Sequence, residues 1–578
     1  MNAESAFPVL AEKAVLWRRD DHTLLRLHGK DAVSWFQTQT TNDVAALEAG
    51  QGCKSALLDR TGRVLALFSC HRWQDECWII LPKAQAPTLF SRVESHVISE
   101  EVFLEDTGGG PQFSLEGPRA AAVLLALMDG NPYDKLAELP DAPFSFTPMT
   151  LLGVETLVFR MAETGHDGFL LVSDPEAAED FWHKLARAMA AQGGAILNES
   201  ERRIAVLESG LPVPDPAQAH YLPGETPWEP LVVSRDKGCY LGQEVVARMR
   251  AYGRPKQCMT GLLWEGDAKP PESPGTHLYA DGAKAGVLGE TFFSATLGTW
   301  ASWAWMGRNH REPGQIFLFT DAHGDTVHGR AKVADLPLAS VETRLERSRR
   351  LYDEAQALFE ADAADREDAV VELLRGALLL NSADGEIAET LGVVLHRHRR
   401  TEEAVRVMRH LARLRPDSVM AHANLSVFYA ALGRIAEAEE EKALAEQLDT
   451  RHALDSRAAR RQAEEERQRL RAEAESRIGM FLEVLDIDPD DPMALSGMGG
   501  AQEQLERWAE AADYFRRAVA AQPDLSMAWL KLGRCLERLT DTDGARAAYA
   551  EGIRHASQKG DFMPLREMER RMAGLAET

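Results

Sequence analysis

Lys237-Gly238-Cys239-Tyr240-Leu241-Gly242-Gln243-Glu244, followed by Arg248, gathers a thiol, three charges and two glycines into twelve positions. Glycine reaches backbone angles closed to other residues, so the stretch reads as a sharp turn or a close approach to a ligand. If it is extended, Lys237 and Cys239 share a face, because strand side chains repeat every two residues. An ammonium beside a thiol favours the thiolate, which is the reactive form. Gln243 and Glu244 then open a helix running to Arg250, where an acidic group suits the positive N-terminal end. The alternative for Cys239 is a small buried hydrophobe in a turn whose glycines only solve geometry.

Upstream of this stretch, apolar and β-branched runs at 24–27, 64–68, 77–81 and 168–172 are bounded by turn or polar residues and read as strands. Helical spacing fits 31–38, 87–96, 118–127 and 175–191 between them. The alternation implies a mixed α+β region over 1–256. Downstream, 257–340 holds short apolar segments broken by Pro270-Pro271, Pro274-Gly275, Asp281-Gly282 and His323-Gly324. That pattern predicts a small antiparallel barrel or sandwich, with Trp264, Trp300, Trp303 and Trp305 in its core or at an interface.

Beyond 341 strand signals fade and a sequence repeat appears, with a period of about 34 residues, the length of a tetratricopeptide unit. Pro489 and Pro523 are one period apart. From Pro492 the unit carries Leu495, Met498, Gly499, Ala511, Phe515, Ala518 and Pro523. From Ser526 the same offsets give Trp529, Leu532, Gly533, Ala545 and Tyr549. Units from Gly385 and Val419 also fit, and one from Leu351 fits in part. The expected result for 341–578 is an all-α solenoid of paired helices. The stretch 455–476, where acids and bases alternate, interrupts the repeats as a charged, solvated helix.

A chain of 578 residues should hold several domains. A formal charge of −25 argues against broad binding to nucleic acid or an anionic membrane. The cysteines at 53, 70, 77, 239, 258 and 535 are too sparse for a disulfide scaffold and form no C-x-x-C pair, which points to a reducing compartment. Residues 1–21 show no secretory pattern and the longest apolar run falls short of a membrane span, so a cytoplasmic protein is expected. Cys70-His71 with Cys77 matches no common zinc spacing, and no metal site is expected.

The opening stretch resembles the K-G-C-[YF]-x-G-Q-E-x-x-x-R signature of the YgfZ-type folate-binding proteins. These are relatives of the glycine-cleavage T-protein and are linked to iron–sulfur cluster maintenance. The resemblance extends over about residues 20–337. It takes in Leu25 to Asp43 with the Asn42-Asp43 turn, Leu115-Glu116-Gly117-Pro118, Thr164-Gly165-His166-Asp167-Gly168-Phe169 and Pro223-Gly224-Glu225, in the family's order. It implies a ring of three subdomains ending in a small β-barrel, with tetrahydrofolate or a one-carbon derivative in the central cavity. The folate-binding set it implies is Asn42, Asp43, Glu225, Tyr240, Gln243, Glu244 and Arg248, with Cys239 and Lys237 as reactive residues at the rim.

Departures from T-protein are equally informative. Where those enzymes carry adjacent aspartates this chain has Ala66 and Leu67; Leu170 replaces a glutamate, and Val206 an arginine. Apolar side chains neither accept a proton nor orient an ammonium, so aminomethyl transfer is not expected. Two readings follow. One is a folate-binding accessory to iron–sulfur cluster assembly or repair, whose repeats recruit a protein client or an assembly factor. The other is an interaction scaffold whose folate domain is chemically inactive.

Overall fold

The computed structural model of the chain describes residues 10–575 apart from 109, 212, 217–219, 253–254, 267–268 and 361–365. In chain order the first strands are β1 (Val15–Arg19), β2 (His22–His28), β3 (Gly52–Leu58), β4 (Val64–Trp73), β5 (Glu76–Pro82) and β6 (Phe103–Asp106). They are followed by β7 (Gln112–Glu116), β8 (Phe146–Leu151), β9 (Val154–Phe159), β10 (Gly168–Ser173) and β11 (Ala195–Ile196). These make two sheets, ordered β3-β4-β5-β2-β6 and β11-β1-β7-β10-β9-β8. The helices Ala32–Gln39, Ala86–His96, Ala120–Ala126 and Ala178–Ala191 fall where their apolar spacing places them.

Side-chain alternation decides what each sheet face touches. On β2, Leu25 and Leu27 join Trp35, Phe36, Phe68 and Ile79 in the core beneath helix Ala32–Gln39. Leu24 faces the other way, with Ile80, Phe146, Phe159, Leu170 and Val172. Strand β10 is buried on both faces, because Phe169 and Leu171 enter a separate cluster with Phe113, Leu124 and Phe181. The layer between the sheets is therefore a core in its own right.

The strands β12 (Gln257–Glu265), β13 (His277–Ala280), β14 (Ala283–Ser294), β15 (Thr299–Gly307), β16 (Ile316–Thr320) and β17 (Val327–Ala334) close into an antiparallel barrel. Trp264, Trp303 and Trp305 are buried, and Trp300 packs partly against the barrel core.

Beyond the barrel the chain is helical. The pairs Gly385–Arg397/Thr401–Leu414, Pro492–Gln504/Trp508–Ala521 and Ser526–Arg538/Thr542–Lys559 begin and end as the repeat period requires. Small residues allow the paired helices to close. A Cβ on Gly392 would lie 2.3 Å from Met408, on Gly499 2.8 Å from Phe515, and on Gly533 2.2 Å from Tyr549. In each case the large partner stands at the same offset along the chain. Asp384, Ser418, Asp491 and Asp541 cap helix N-termini with their side chains. The charged stretch lies in a continuous helix of 53 residues, Ile435–Ile487.

The chain divides into two compact units, Met1–Ala445 and Glu446–Thr578. Within the first, the helices after residue 344 share a core with the β7–β10 sheet, since Leu124, Leu136 and Leu139 cluster with Tyr352, Leu374 and Leu378. Polar contacts reinforce the seam: Arg375 Nε donates to Tyr133 Oη at 2.9 Å and Arg344 Nη1 to Asp141 Oδ1 at 2.6 Å. Among the described residues no helix is long and apolar enough to cross a membrane.

Candidate functional site

The Lys237–Glu244 segment is irregular coil from Lys237 to Tyr240, and a helix then runs over Gln243–Tyr252. Long-range hydrogen bonds dock it on the turn at 37–43. Thr41 Oγ1 donates to Val232 O at 2.5 Å and Asn42 Nδ2 to Leu231 O at 3.1 Å, while Ser234 N donates to Thr41 O at 3.0 Å. Gly242 has φ +86°, and a Cβ there would lie 2.7 Å from Asp59 O and 3.2 Å from Gly62 Cα. Only glycine allows this close approach to the β3–β4 hairpin.

Lys237 is the pin of that contact. It is buried, and its ammonium donates to Gln37 O and Thr40 O at 2.6 Å each and to Asn42 O at 3.0 Å. Burial pushes its pKa down to about 8, opposed by Asp43 and Cys53. The three carbonyls oppose it too, because a neutral amine has only two protons to donate. Its Nζ also lies 5.2 Å from the centre of the Tyr240 ring, which is itself buried.

Cys239 is exposed, which removes the alternative of a small buried hydrophobe. A Cβ on neighbouring Gly238 would meet no atom within 4 Å, so this backbone faces open space. The thiol coupled electrostatically to Lys237 is Cys53 on β3, a residue that sequence reasoning passed over. Burial drives the Cys53 thiol up to about 12 despite Lys237. Cys53 sits opposite Cys70 across β3–β4, and the buried Cys70 thiol hydrogen-bonds that of buried Cys77 on β5. His71, on the other face of β4, uses both ring nitrogens on Phe144 O and Ser69 Oγ at 2.9 Å.

The structure therefore brings Lys237, Tyr240, Asn42 and Asp43 together. The two turn residues are occupied internally: Asn42 Nδ2 also donates to Lys54 O at 2.8 Å, and Asp43 Oδ1 accepts from Gln37 Nε2 at 2.9 Å. Glu244 and Arg248 lie elsewhere, paired with each other at 3.0 Å on the solvent face of their helix. Gln243 is half-buried at that helix's start. Glu225 is buried, accepts from Leu222 N at 3.1 Å, and has its carboxyl pKa raised by burial.

A second set of polar groups, which the motif did not point to, lies between the two sheets. Gln112 on β7 is 1% exposed, and neither its amide oxygen nor its amide nitrogen has a hydrogen-bond partner among the described residues. Arg19 stands directly opposite it on β1, with Nε likewise unpartnered. Trp17, on the same face, carries an unpartnered indole N–H group. Lys54 shares this environment; burial lowers its pKa, and it feels Glu163, Arg19 and Glu116. Buried polar groups cost about 1–3 kcal/mol when left unpaired, so such a concentration marks a place built for something polar.

Charges around this layer are set by their neighbours. Burial would raise the Glu163 carboxyl, but Arg19 at 2.9 Å and Arg202 at 3.2 Å outweigh it and hold the pKa down to about 2. Glu116 is pushed up to about 7 by burial and by Glu163, although Ser114, Thr164 and the Glu163 N–H all donate to it. Leu170, at the position of the missing glutamate, is fully buried in the apolar part of the layer.

Residues 10–213 match the GCVT N-terminal domain. Tetratricopeptide repeat matches cover 389–452, 451–526 and 497–560. The tRNA-modifying protein YgfZ of Yersinia pestis (strain Pestoides F) is 29% identical over 255 residues, 43% of this chain and 71% of that protein. A putative chloroplastic transferase of Arabidopsis thaliana is 25% identical over 276 residues, 46% of this chain and 58% of its own length. Among solved structures, the glycine cleavage system aminomethyltransferase T of Bartonella henselae aligns with a TM-score of 0.49 at 20% identity, over 59% of this chain and 90% of that one. The chain thus joins a YgfZ-like, GCVT-type region to a run of tetratricopeptide repeats.

Proposed function

We propose that the chain binds tetrahydrofolate or a one-carbon derivative between its two N-terminal sheets and serves as an accessory to iron–sulfur cluster assembly or repair. The observation that carries this reading is the unpartnered amide of Gln112 opposite Arg19, with the Trp17 indole on the same face of β1. A pterin ring is flat and carries donors and acceptors along its edge, which suits an amide, a guanidinium and an indole N–H set between apolar walls. Gln112, Arg19 and Lys54 would hold it by hydrogen bonds. Leu170 and Phe159 would supply apolar contact. Bound folate would supply a one-carbon carrier.

Aminomethyl transfer is not part of the proposal, because Leu170 can neither polarise nor deprotonate an amine. Cys239 is the accessible thiol, exposed beside the open backbone of Gly238, where a protein or a sulfur species can reach it. The repeats recruit the protein partner, a cluster client or an assembly factor, and the chain acts in the cytoplasm. The relative named for tRNA modification makes cluster-dependent tRNA enzymes the first clients to test. With a net charge of −25, direct contact with the nucleic acid is not expected.

A scaffold with an inactive folate domain is the second reading, favoured by the filling of the missing glutamate's position by Leu170. Complementation separates the two. In cells lacking the protein, wild type should restore the activity of a cluster-dependent enzyme, and Cys239→Ala and Gln112→Leu should fail. Full rescue by both variants would leave the scaffold.

A further inference from the structure

One face of helix Ala86–His96 carries a cleft that the folate reading does not use. Thr88, Ser91, Arg92 and Ser95 are spaced three, four and seven residues on from the first, so they share one stripe of the helix. With Pro87 and with Leu65 of β4 they line an open cavity of about 350 Å³. That volume lies at the small end of ligand pockets.

Arg92 is the anomaly in this cleft. It is 7% exposed and has no ion-pair partner among the described residues. Its Nη2 donates to Leu58 O at 2.8 Å and its Nη1 to Gln39 Oε1 at 3.3 Å, and both acceptors are neutral. A guanidinium has five N–H groups, so three are left without an acceptor among the described residues. Burial lowers the Arg92 pKa, with Asp59 opposing. Asp59 makes no ion pair with it, because Oδ1 accepts instead from Thr61 N, Thr61 Oγ1 and Arg63 N. Buried charges are ordinarily paired, and this one is held by neutral groups alone.

A second uncompensated cation stands near the first. Arg60, exposed on the turn between β3 and β4, has no ion-pair partner among the described residues. Burial lowers the His96 pKa, and Arg92 and Arg60 lower it further, which puts both guanidiniums around the end of this helix. The hydroxyls of Thr88 and Ser91 make no hydrogen bond among the described residues, whereas Ser95 Oγ donates to Ser91 O at 2.5 Å.

Charge and donor count select the occupant. A phosphomonoester carries about −1.5 to −2 at neutral pH on three acceptor oxygens. A carboxylate carries one charge, and its two oxygens offer about four lone-pair sites. Two guanidiniums without carboxylate partners match the first charge and exceed the second. Arg92 can add a bidentate pair, Thr88 and Ser91 one hydroxyl each, and Arg60 a further donor, which is more than a carboxylate accepts. Leu65 and Pro87 give the rest of the ligand an apolar wall.

We propose that this cleft binds a small phosphomonoester, with its phosphoryl group on Arg92 and Arg60 and an apolar or aromatic body against Leu65 and Pro87. The site adjoins the signature loop: Arg92 holds Leu58 O, and a Cβ on Gly242 would lie 3.1 Å from Leu58 Cβ.

The test is calorimetric titration of the full chain with phenyl phosphate, benzoate, inorganic phosphate and a phosphoserine peptide. Phenyl phosphate should bind one equivalent, about tenfold or more tighter than either benzoate or inorganic phosphate. Ser91→Glu sets a carboxylate in the cleft from an exposed position, and it and Arg60→Ala should each weaken binding about fivefold or more with urea unfolding unchanged. Gln112→Leu should leave phenyl phosphate binding as it is in wild type. Absence of saturable binding, equal affinity for benzoate or inorganic phosphate, or indifference to both Ser91→Glu and Arg60→Ala overturns the inference. Loss of binding in Gln112→Leu also overturns it, by placing the ligand between the sheets. Tighter binding of the phosphopeptide, abolished by Ser91→Glu, overturns the small-molecule assignment in favour of a phosphorylated protein.

Discussion

Lys237→Met removes the ammonium that joins the signature loop to the turn at 37–43 and keeps a side chain of similar length. Three hydrogen bonds disappear, to Gln37 O, Thr40 O and Asn42 O. Asn42 O keeps Val44 N as a donor at 3.1 Å, so the loss falls on the other two carbonyls. At about 1–3 kcal/mol each, that is about 2–6 kcal/mol. Relief from desolvation works the other way: burial takes the ammonium from 10.5 to about 8, a fall of about 2.5 pKa units that returns at most ~3.4 kcal/mol. Set against about 4 kcal/mol, the middle of the loss, a return of at most ~3.4 leaves a net loss of about 0.6–4 kcal/mol in urea unfolding, with amide exchange at 38–44 accelerated locally. Lys237→Arg should not restore stability, because a flat guanidinium cannot address three carbonyls converging on one nitrogen. A Lys237→Met protein as stable as wild type, with unchanged exchange at 38–44, would refute the pinning argument.

Four further outcomes follow from the same contacts. Gly242→Ala should cost about 2 kcal/mol or more, since it strains a left-handed backbone and drives a methyl toward Asp59 O; a loss below about 0.5 kcal/mol, the scatter of neutral surface changes, would contradict the close approach. Glu163 has its folded pKa depressed to about 2 from 4.5, so its contribution is present above pH 4.5 and fades as pH falls toward 2. Glu163→Gln should flatten the acid limb of the stability curve over that window, and an unaltered limb would count against the Arg19 and Arg202 pairing. In a native thiol titration Cys239 should react first and Cys239→Ser should lose that phase, because Cys70, Cys77 and Cys535 are buried. Ending the chain at 445 should leave a folded protein, whereas ending it at 343 uncovers Leu124, Leu136 and Leu139 and should aggregate; equal solubility of the two would contradict the shared core.

The repeats were the most legible part of the chain. Their period, caps and glycine–aromatic pairs are local, and Gly533 with Tyr549 already states that two helices touch. The strands at 22–28, 64–73 and 168–173 were equally readable, since turn residues bound each apolar run. Contacts that join distant segments were not readable. Nothing around Lys237 says that its ammonium ends on the carbonyls of Gln37, Thr40 and Asn42, far back in the chain, or that the thiol coupled to it electrostatically is Cys53. Gln112 lies in an ordinary strand pattern, and its unpaired amide exists only once two sheets face each other. The seam between Tyr133 and Arg375 has no periodic signal, so the sequence could not show that the first repeats pack on the N-terminal sheets.

The central claim is most directly tested by anaerobic calorimetric titration with tetrahydrofolate of wild type, Gln112→Leu and Cys239→Ala. Replacing Gln112 by an apolar residue of similar size removes an orphaned amide, so Gln112→Leu should be no less stable than wild type while its folate affinity falls at least tenfold. Wild type and Cys239→Ala should bind one equivalent alike. Absence of saturable heat in wild type, or undiminished binding in Gln112→Leu, would contradict a folate site between the sheets.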